Sequence, residues 1–285
     1  MPKPYKTVSV CGCGWLGLAL AENLVKDGID VQGTKRSKEA AFDLSKKGIH
    51  GVVFDIYDQN RHSGEISEAN SSSLFGSDVF VANIPPGRRT FDRTEFVVAM
   101  KSLVDRAKAG GTQQFIFIST TSVYGQAQGK ISEDSVCHPN TESGIAHREI
   151  ERYILEAFPN GGVVLRLSGL VGASRHPAKH MAGRTGITGG KDPVNLIHRD
   201  DCIRAISAIM KQQLGGETLH LSALDHPTRS DFYRWAAQAM GLPQPEFIED
   251  GGEGKWISSD VTLQRLGLTL RYPSPYDMPL PALDS

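Results

Sequence analysis

The residues best placed to do chemistry come early in the chain. Val8-Ser9-Val10-Cys11 is a short run rich in β-branched residues, and it feeds directly into Gly12-Cys13-Gly14-Trp15-Leu16-Gly17. A Gly-x-Gly-x-x-Gly turn between a strand and a helix suits a dinucleotide pyrophosphate. Gly12 would allow the tight turn, Gly14 would let the backbone approach the phosphates, and Gly17 would let the helix pack close to the strand. The N–H groups of the first helical residues, Trp15 and Leu16 among them, together with the helix dipole, favour the anion. The alternative is a glycine-rich turn without a ligand. Context argues against it, because a helical pattern follows at once and a second strand is expected at Ile29 to Thr34.

Lys35-Arg36-Ser37 comes next. An acidic residue at this strand end takes the ribose hydroxyls of NAD. Here it is missing and two cations replace it. The guanidinium fork of Arg36 and the ammonium of Lys35 suit a 2′-phosphate, which favours NADP over NAD. The alternative is that both are a solvated start to the next helix. Cys11 and Cys13 raise the idea of a metal clip or redox pair. Of the other cysteines, Cys137 and Cys202, neither forms a second close pair, and no histidine cluster completes a zinc set. Small buried residues beside the turn is the better reading, and no metal is expected.

Bulk properties narrow the class. The net charge is −1 over 285 residues, so no global field favours nucleic acid or an anionic membrane. No apolar run approaches the length that spans a bilayer. The lead-in to the first strand is too short for a signal-peptide core. A cytoplasmic protein acting on a small molecule, with neither nucleic acid nor membrane as partner, is the expectation.

The elements that must position the turn alternate along the chain. Leu16, Leu20 and Leu24 mark a helix over Trp15 to Lys26, which Asp27-Gly28 ends. Further strands are expected at His50 to Phe54, Asp78 to Asn83, Gln114 to Ser119 and Gly162 to Leu167. Helices are expected at Lys38 to Lys47, Phe91 to Ala109 and Ser143 to Phe158. Gln59 to Ser73 reads as a loop or an ill-defined helix. This alternation implies an α/β, doubly wound parallel sheet. After Gly172 the pattern changes. Ala173 to Lys191 is rich in Gly, Arg and His, helices follow at Asp200 to Gln213 and Thr228 to Met240, and a proline-bearing, extended tail starts at Leu266. Residues 1–172 are therefore read as the core. Residues 173–285 are read as a small substrate lobe laid over it, with some core elements interleaved.

Several motifs in this order resemble those of the extended short-chain dehydrogenases/reductases, the epimerase/dehydratase group. They are Phe54-Asp55-Ile56, Phe117-Ile118-Ser119-Thr120-Thr121-Ser122-Val123-Tyr124-Gly125, Leu165-Arg166-Leu167-Ser168-Gly169-Leu170-Val171-Gly172 and Ile197-His198-Arg199-Asp200-Asp201. The resemblance implies a Rossmann sheet and an NAD(P) cofactor. It also implies cofactor contacts from Asp55 and Ile56, from Ile84 and Pro85, and from Ser168. Thr120 falls on the hydroxyl residue that binds the substrate oxygen. His198 is implied to make a structural hydrogen bond between lobe and core. Pairing of two copies is common in the group, so a homodimer is an expectation.

The group's Tyr-x-x-x-Lys aligns with Ser143-Gly144-Ile145-Ala146-His147. So the tyrosine is Ser143 and the lysine is His147. A serine hydroxyl is a far weaker acid than a tyrosine, and losing a general acid/base costs about 10²–10⁴ in rate. A histidine is shorter than a lysine and mostly neutral at pH 7. His147 or Tyr124 could relay protons instead, but His147 reads best as a polar residue facing the cofactor ribose or solvent, and the resemblance implies that the tyrosine of Val-Tyr-Gly lines the substrate pocket rather than acting in catalysis. A Ser143–His147 couple for acyl transfer lacks an orienting acid. Arg175, His176, Lys179, His180 and Arg184 could favour an anionic substrate, or form a solvated surface. Two functions compete: an atypical oxidoreductase or epimerase-like enzyme, and a silent NAD(P)-binding sensor that acts through a partner.

Overall fold

The computed structural model describes residues 4–57, 74–87, 91–172 and 175–281. Its centre is a parallel seven-stranded sheet. In chain order the strands are β1 (Thr7–Cys11), β2 (Asp30–Lys35), β3 (His50–Val53), β4 (Val79–Ala82), β5 (Gln114–Thr120), β7 (Gly162–Leu167) and β10 (Glu217–Leu221). In space they run β10-β7-β5-β4-β1-β2-β3. The order reverses at β1, which pairs with β2 on one side and β4 on the other. In an open parallel sheet, ligands bind outside the carboxyl ends of the strands at such a reversal. The glycine turn leaves β1 there, beside the Asn83-Ile84-Pro85 end of β4.

The central strands are apolar on both faces, as burial between two helical layers requires. Val79 to Ala82 are all fully buried. A row of stacked rings crosses the sheet: Phe75 on Phe80 at 5.7 Å, Phe80 on Phe115 at 5.3 Å and Phe115 on Phe158 at 5.4 Å. Helix α1 (Trp15–Lys26) buries Leu16, Leu20 and Leu24. Helices α2 (Lys38–Ser45), α3 (Arg93–Ala109) and α4 (Glu142–Ala157) begin at Ser37, Asp92 and Thr141. Each of those side chains accepts a backbone N–H two or three positions into its helix, which is ordinary N-capping.

By contact the chain divides into two units. The first comprises Met1–Val123, Pro139–Leu165 and Ile206–Leu219, and the second Tyr124–His138, Arg166–Ala205 and His220–Ser285. The division is interleaved. Residues 124–138 and 166–172 belong to the second unit, while 206–219 return to the first. The second unit holds two small parallel pairs, β6 (Gly129–Ile131) with β11 (Lys255–Ile257) and β8 (Gly169–Val171) with β9 (Leu196–His198). Its helices include α5 (Ala178–Met181), α7 (Arg229–Ala239) and α8 (Asp260–Leu266), while α6 (Arg199–Gln212) runs from one unit into the other. Thr228 caps α7. Phe232 is the centre of this unit's core, packed among Val171, Val194, Leu196, Ala223 and Met278.

The strands β6, β8, β9, β10 and β11 and helix α8 have no counterpart in the sequence reading. The tail, expected to be extended, contains a capped turn at Pro275–Asp277. Gln59 lies with Ser73 in a stretch outside the described residues, as do Ala173 and Ser174. No helix among the described residues is long and apolar enough to cross a membrane.

Candidate functional site

The glycine turn is pinned from two sides. The Gly12 N–H donates to Thr34 Oγ1 at 2.8 Å, and the Asn83 Nδ2 amide donates to the Gly12 carbonyl at 2.9 Å. Gly12 has φ +99°, and a Cβ there would stand 2.3 Å from the Asn83 carbonyl oxygen. A Cβ on Gly17 would stand 2.2 Å from the Gly12 carbonyl oxygen. Both positions therefore demand glycine for packing alone. Gly14 differs. A Cβ built there meets no atom within 4 Å, so the protein itself gives no reason for glycine at this position. Gly14 precedes the first turn of α1, and no side chain caps the helix. A bare backbone cradle at an uncapped helix N-terminus fits an oxyanion.

Thr34 and Asn83 were missed by the sequence reading. Asn83→Ala is expected to remove the amide that holds the turn, at a cost of about 1–3 kcal/mol. Thermal unfolding of the variant checks this, and a loss under about 0.5 kcal/mol would refute the clamp.

Lys35 is partly buried at the end of β2, and its charge reaches the Cys13 thiol. Arg36 is exposed, and Ser37 is committed to capping α2. Asp55 accepts from the Tyr57 N–H. Ile56 is buried, and Ile84 and Pro85 follow β4. Cys11 and Cys13 are both buried, and burial pushes their thiols up to about 12 and about 11. No group of three or more metal-ligating side chains occurs among the described residues.

Thr120 ends β5, where its Oγ1 accepts from the Ser122 N–H at 3.2 Å. Ser143 lies in the first turn of α4, partly exposed. His147 is one turn on and only 5% exposed. Its ring stacks on Phe117 at 5.6 Å and lies against Phe96 at 6.0 Å. Because a carbonyl can only accept, His147 Nδ1–H donates to the Ser143 carbonyl at 2.7 Å. That fixes the tautomer and leaves Nε2 as an acceptor. Burial lowers the ring's pKa, so the resting ring is neutral at pH 7. Its partner on that helix is the Ser143 backbone, not the hydroxyl. Glu151, fully buried, accepts from Ser119 at 2.7 Å and from Arg148 at 3.2 Å. This bond ties α4 to the strand that carries Thr120.

In the second unit Tyr124 is fully buried. Its hydroxyl lies 2.9 Å from His220 Nδ1 and accepts from Arg166 at 2.9 Å. His220 Nε2–H donates to the Ser258 carbonyl, so Nδ1 is the acceptor for the Tyr124 proton. Burial pushes the phenol up to about 12. Tyr124 therefore sits in a buried polar network as a neutral phenol. Ser168 is buried, and its Oγ has no hydrogen-bond partner among the described residues. His198 packs on Tyr272 at 4.2 Å and accepts from the Asp200 N–H. Asp201 accepts from the Arg271 and Tyr272 N–H groups, which holds the C-terminal segment. Of the cationic loop, Arg175, Lys179, His180 and Arg184 are exposed or partly so, whereas His176 is buried.

The turn, the strand order and the late Ile-His-x-Asp-Asp run meet in one family. Residues 8–221 match the model of the NAD dependent epimerase/dehydratase family. The chain belongs to that family. It is 36% identical over 279 residues to the protein YeeZ of Escherichia coli (strain K12), covering 96% of this chain and 99% of that one. It is 25% identical over 244 residues to YtcB of Bacillus subtilis (strain 168), an uncharacterized UDP-glucose epimerase, covering 74% and 75%. Among solved structures, UDP-glucuronic acid 4-epimerase from Bacillus cereus in complex with NAD superposes with a TM-score of 0.75 at 20% identity, over 93% of this chain and 94% of that one. The same enzyme is also known with UDP-glucuronic acid and NAD bound.

Proposed function

We propose that this family member is an NAD(P)-dependent oxidoreductase or epimerase-like enzyme acting on a small polar substrate, with NADP favoured over NAD. The observation that carries the reading is Gly14, a glycine whose side-chain space the protein leaves empty at an uncapped helix start. Trp15 and Leu16 continue that start, and Asp55, Ile56, Ile84, Pro85 and Ser168 are the further cofactor contacts. The nicotinamide, when bound, accepts or supplies a hydride. Thr120 holds the substrate oxygen through its hydroxyl proton, since Oγ1 already accepts from Ser122. Ser143 stands where a stronger acid is usual. His147 can take a proton at Nε2 but does not offer one from its resting form. The enzyme works alone or as a pair of copies, in the cytoplasm, without nucleic acid.

Calorimetric titration with NADPH and NADH tests this, and no binding of either would overturn it. Arg36→Ala is expected to weaken NADPH more than NADH, by roughly 1–3 kcal/mol for a charge-assisted contact. Equal losses would mean that Arg36 does not meet a 2′-phosphate.

A second reading has its own observation. The His147 ring, committed to the Ser143 carbonyl within an aromatic stack, suits a protein that binds the dinucleotide and signals to a partner without turnover. Cofactor binding with no hydride transfer across a panel of carbonyl and sugar-nucleotide substrates would favour it.

A further inference from the structure

The chain enters the second unit at Tyr124, at Arg166 and at His220. The side chains of these three residues meet in one buried cluster. The Tyr124 hydroxyl accepts from Arg166 Nη1 at 2.9 Å and lies 2.9 Å from His220 Nδ1. Three segments far apart in sequence are thus joined at one oxygen. Glu133 approaches the imidazole from the opposite nitrogen, its Oε1 standing 3.4 Å from His220 Nε2.

Glu133 is the member that packing does not explain. Its side chain is only 8% exposed. Its Oε1 accepts from the N–H and the hydroxyl of Thr262, in the first turn of α8. The residue before that helix makes no side-chain cap, so Glu133 supplies one from a distant segment. Its Oε2 is sealed and has no hydrogen-bond partner among the described residues. Among those residues, His220 is its one partner at ion-pair distance. A buried carboxylate without a cation is costly. A neutral imidazole does not offset that cost, whereas a charged one does.

The cluster has a place for every proton in both states of the ring. With the ring neutral, Nε2–H donates to the Ser258 carbonyl and Nδ1 accepts the Tyr124 proton. With the ring charged, Nδ1–H must donate, and the phenol oxygen offers a lone pair besides the one that faces Arg166. The phenol's own proton then needs another acceptor. The Ser132 carbonyl stands 3.4 Å from the hydroxyl. The charges around the ring pull in opposite directions: Glu133 favours the charged form, and burial and Arg166 oppose it. Cys137 is the remaining titratable group near the phenol. The balance leaves the ring neutral at pH 7, with its pKa below the ordinary 6.5.

We propose that His220 is a proton switch in the second unit. A proton taken from solvent onto Nδ1 reverses the Tyr124–His220 hydrogen bond, turns the phenol's proton to the Ser132 carbonyl and pairs the ring with Glu133. One N–H bond forms, and it is lost again when the pH rises. His220 is fully buried, so the proton arrives during local opening. Ser132 and Glu133 directly follow β6, and β6 pairs with β11. Gly129 of β6 and Trp256 of β11 line a cavity of about 480 Å³, so the rearrangement reaches its wall. The switch goes beyond the cofactor reading and does not depend on it.

The test is a titration from pH 8 to pH 5 of protein labelled with ¹⁵N in histidine and with ¹³C at tyrosine Cζ, followed by NMR. His220→Gln and Tyr124→Phe assign the signals. The expected result is the Nε2–H tautomer of His220 at pH 8, and protonation of both nitrogens below 6.5 while the far-UV circular dichroism is unchanged. The Tyr124 Cζ signal should move with the same midpoint. Glu133→Gln keeps a carbonyl for Thr262 but loses the charge, and should lower the His220 midpoint by about one unit or more. Hydrogen exchange at residues 129–133 and 255–262 should differ between the natural protein and His220→Gln below the midpoint and agree above it.

An Nδ1–H tautomer at pH 8 would overturn the switch. So would a His220 signal that changes only as the circular dichroism is lost, since the ring would then titrate by unfolding. An unchanged midpoint in Glu133→Gln would remove the ion pair from the account. Equal hydrogen exchange at every pH would mean that the proton is bound without moving anything, and the switch would fall.

Discussion

Gly14→Val is expected to abolish binding of NADPH and NADH while leaving the fold intact. The two halves of that expectation have separate causes. Gly14 has φ −80° and ψ −149°, close to extended backbone, and its φ is one that residues with side chains adopt. A Cβ there meets no atom of the rest of the protein within 4 Å, so the fold leaves room for the side chain to start and is expected to form. The same space is where a pyrophosphate must touch the Gly14 backbone and the start of α1. A branched side chain would hold the phosphates off those N–H groups by more than a hydrogen-bond length. Loss of about 3 kcal/mol or more corresponds to at least about a hundredfold in affinity. Circular dichroism with calorimetric titration checks both halves. A folded variant that binds NADPH normally would mean the turn is not the phosphate site. Gly12→Ala is the contrast, because its φ is +99° and its Cβ would press on the Asn83 carbonyl. That variant should lose stability and binding together.

The turn was legible in sequence because its signal is local. Gly12, Gly14 and Gly17 are fixed by spacing, and the helix expected over Trp15 to Lys26 is the helix observed. The six strands read from apolar runs are likewise present, within a residue or two at each end. The seventh, β10, was missed because Glu217 and His220 interrupt its apolar character, and only the pairing beside β7 makes it a strand. β6, β8, β9 and β11 are three residues each, too short to show a period of two against the surrounding loops.

The parts of the site that escaped are those made by distant residues. Nothing near Asn83 in sequence says that its amide will hold Gly12, 71 positions away. The partners of Tyr124 come from residues 166 and 220. A lone tyrosine in Val-Tyr-Gly therefore looks available for chemistry until its hydroxyl is seen to be committed. His147 is the reverse case. Its spacing of four from Ser143 put both on one face of a helix, which is correct. The bond that forms goes to the Ser143 carbonyl, which every residue possesses, so the hydroxyl contributes nothing to it.

Acidification from pH 7.5 to pH 5 is expected to lower the stability of the folded chain. His147, His176, His198, His220 and His226 all have pKa values lowered from the ordinary 6.5, with burial as the first cause. The folded protein keeps these rings neutral, whereas the unfolded chain takes up protons once the pH falls below about 6.5. Between that value and the folded pKa the unfolded state binds more protons, so stability rises with pH. It is fully present above about 7 and drains away toward about 4, the His176 value. Each unit of depression is worth about 1.4 kcal/mol at most. Between 6.5 and pH 5 His176 alone contributes up to about 2 kcal/mol, and the other four rings act in the same direction. The carboxylates with lowered pKa, Asp43 and Asp260, act only below the ordinary 3.8 and fall outside this window. Urea midpoints at pH 7.5, 6.5, 5.5 and 5.0 measure the slope, and a flat profile would refute the account. His147→Phe isolates one ring. Phenylalanine can occupy the space between Phe96 and Phe117, but it neither donates to the Ser143 carbonyl nor titrates. It should cost stability at pH 7.5 and less at pH 5, because its profile lacks one proton's worth of slope. A gap that stays constant with pH would mean that His147 is not held neutral by its burial.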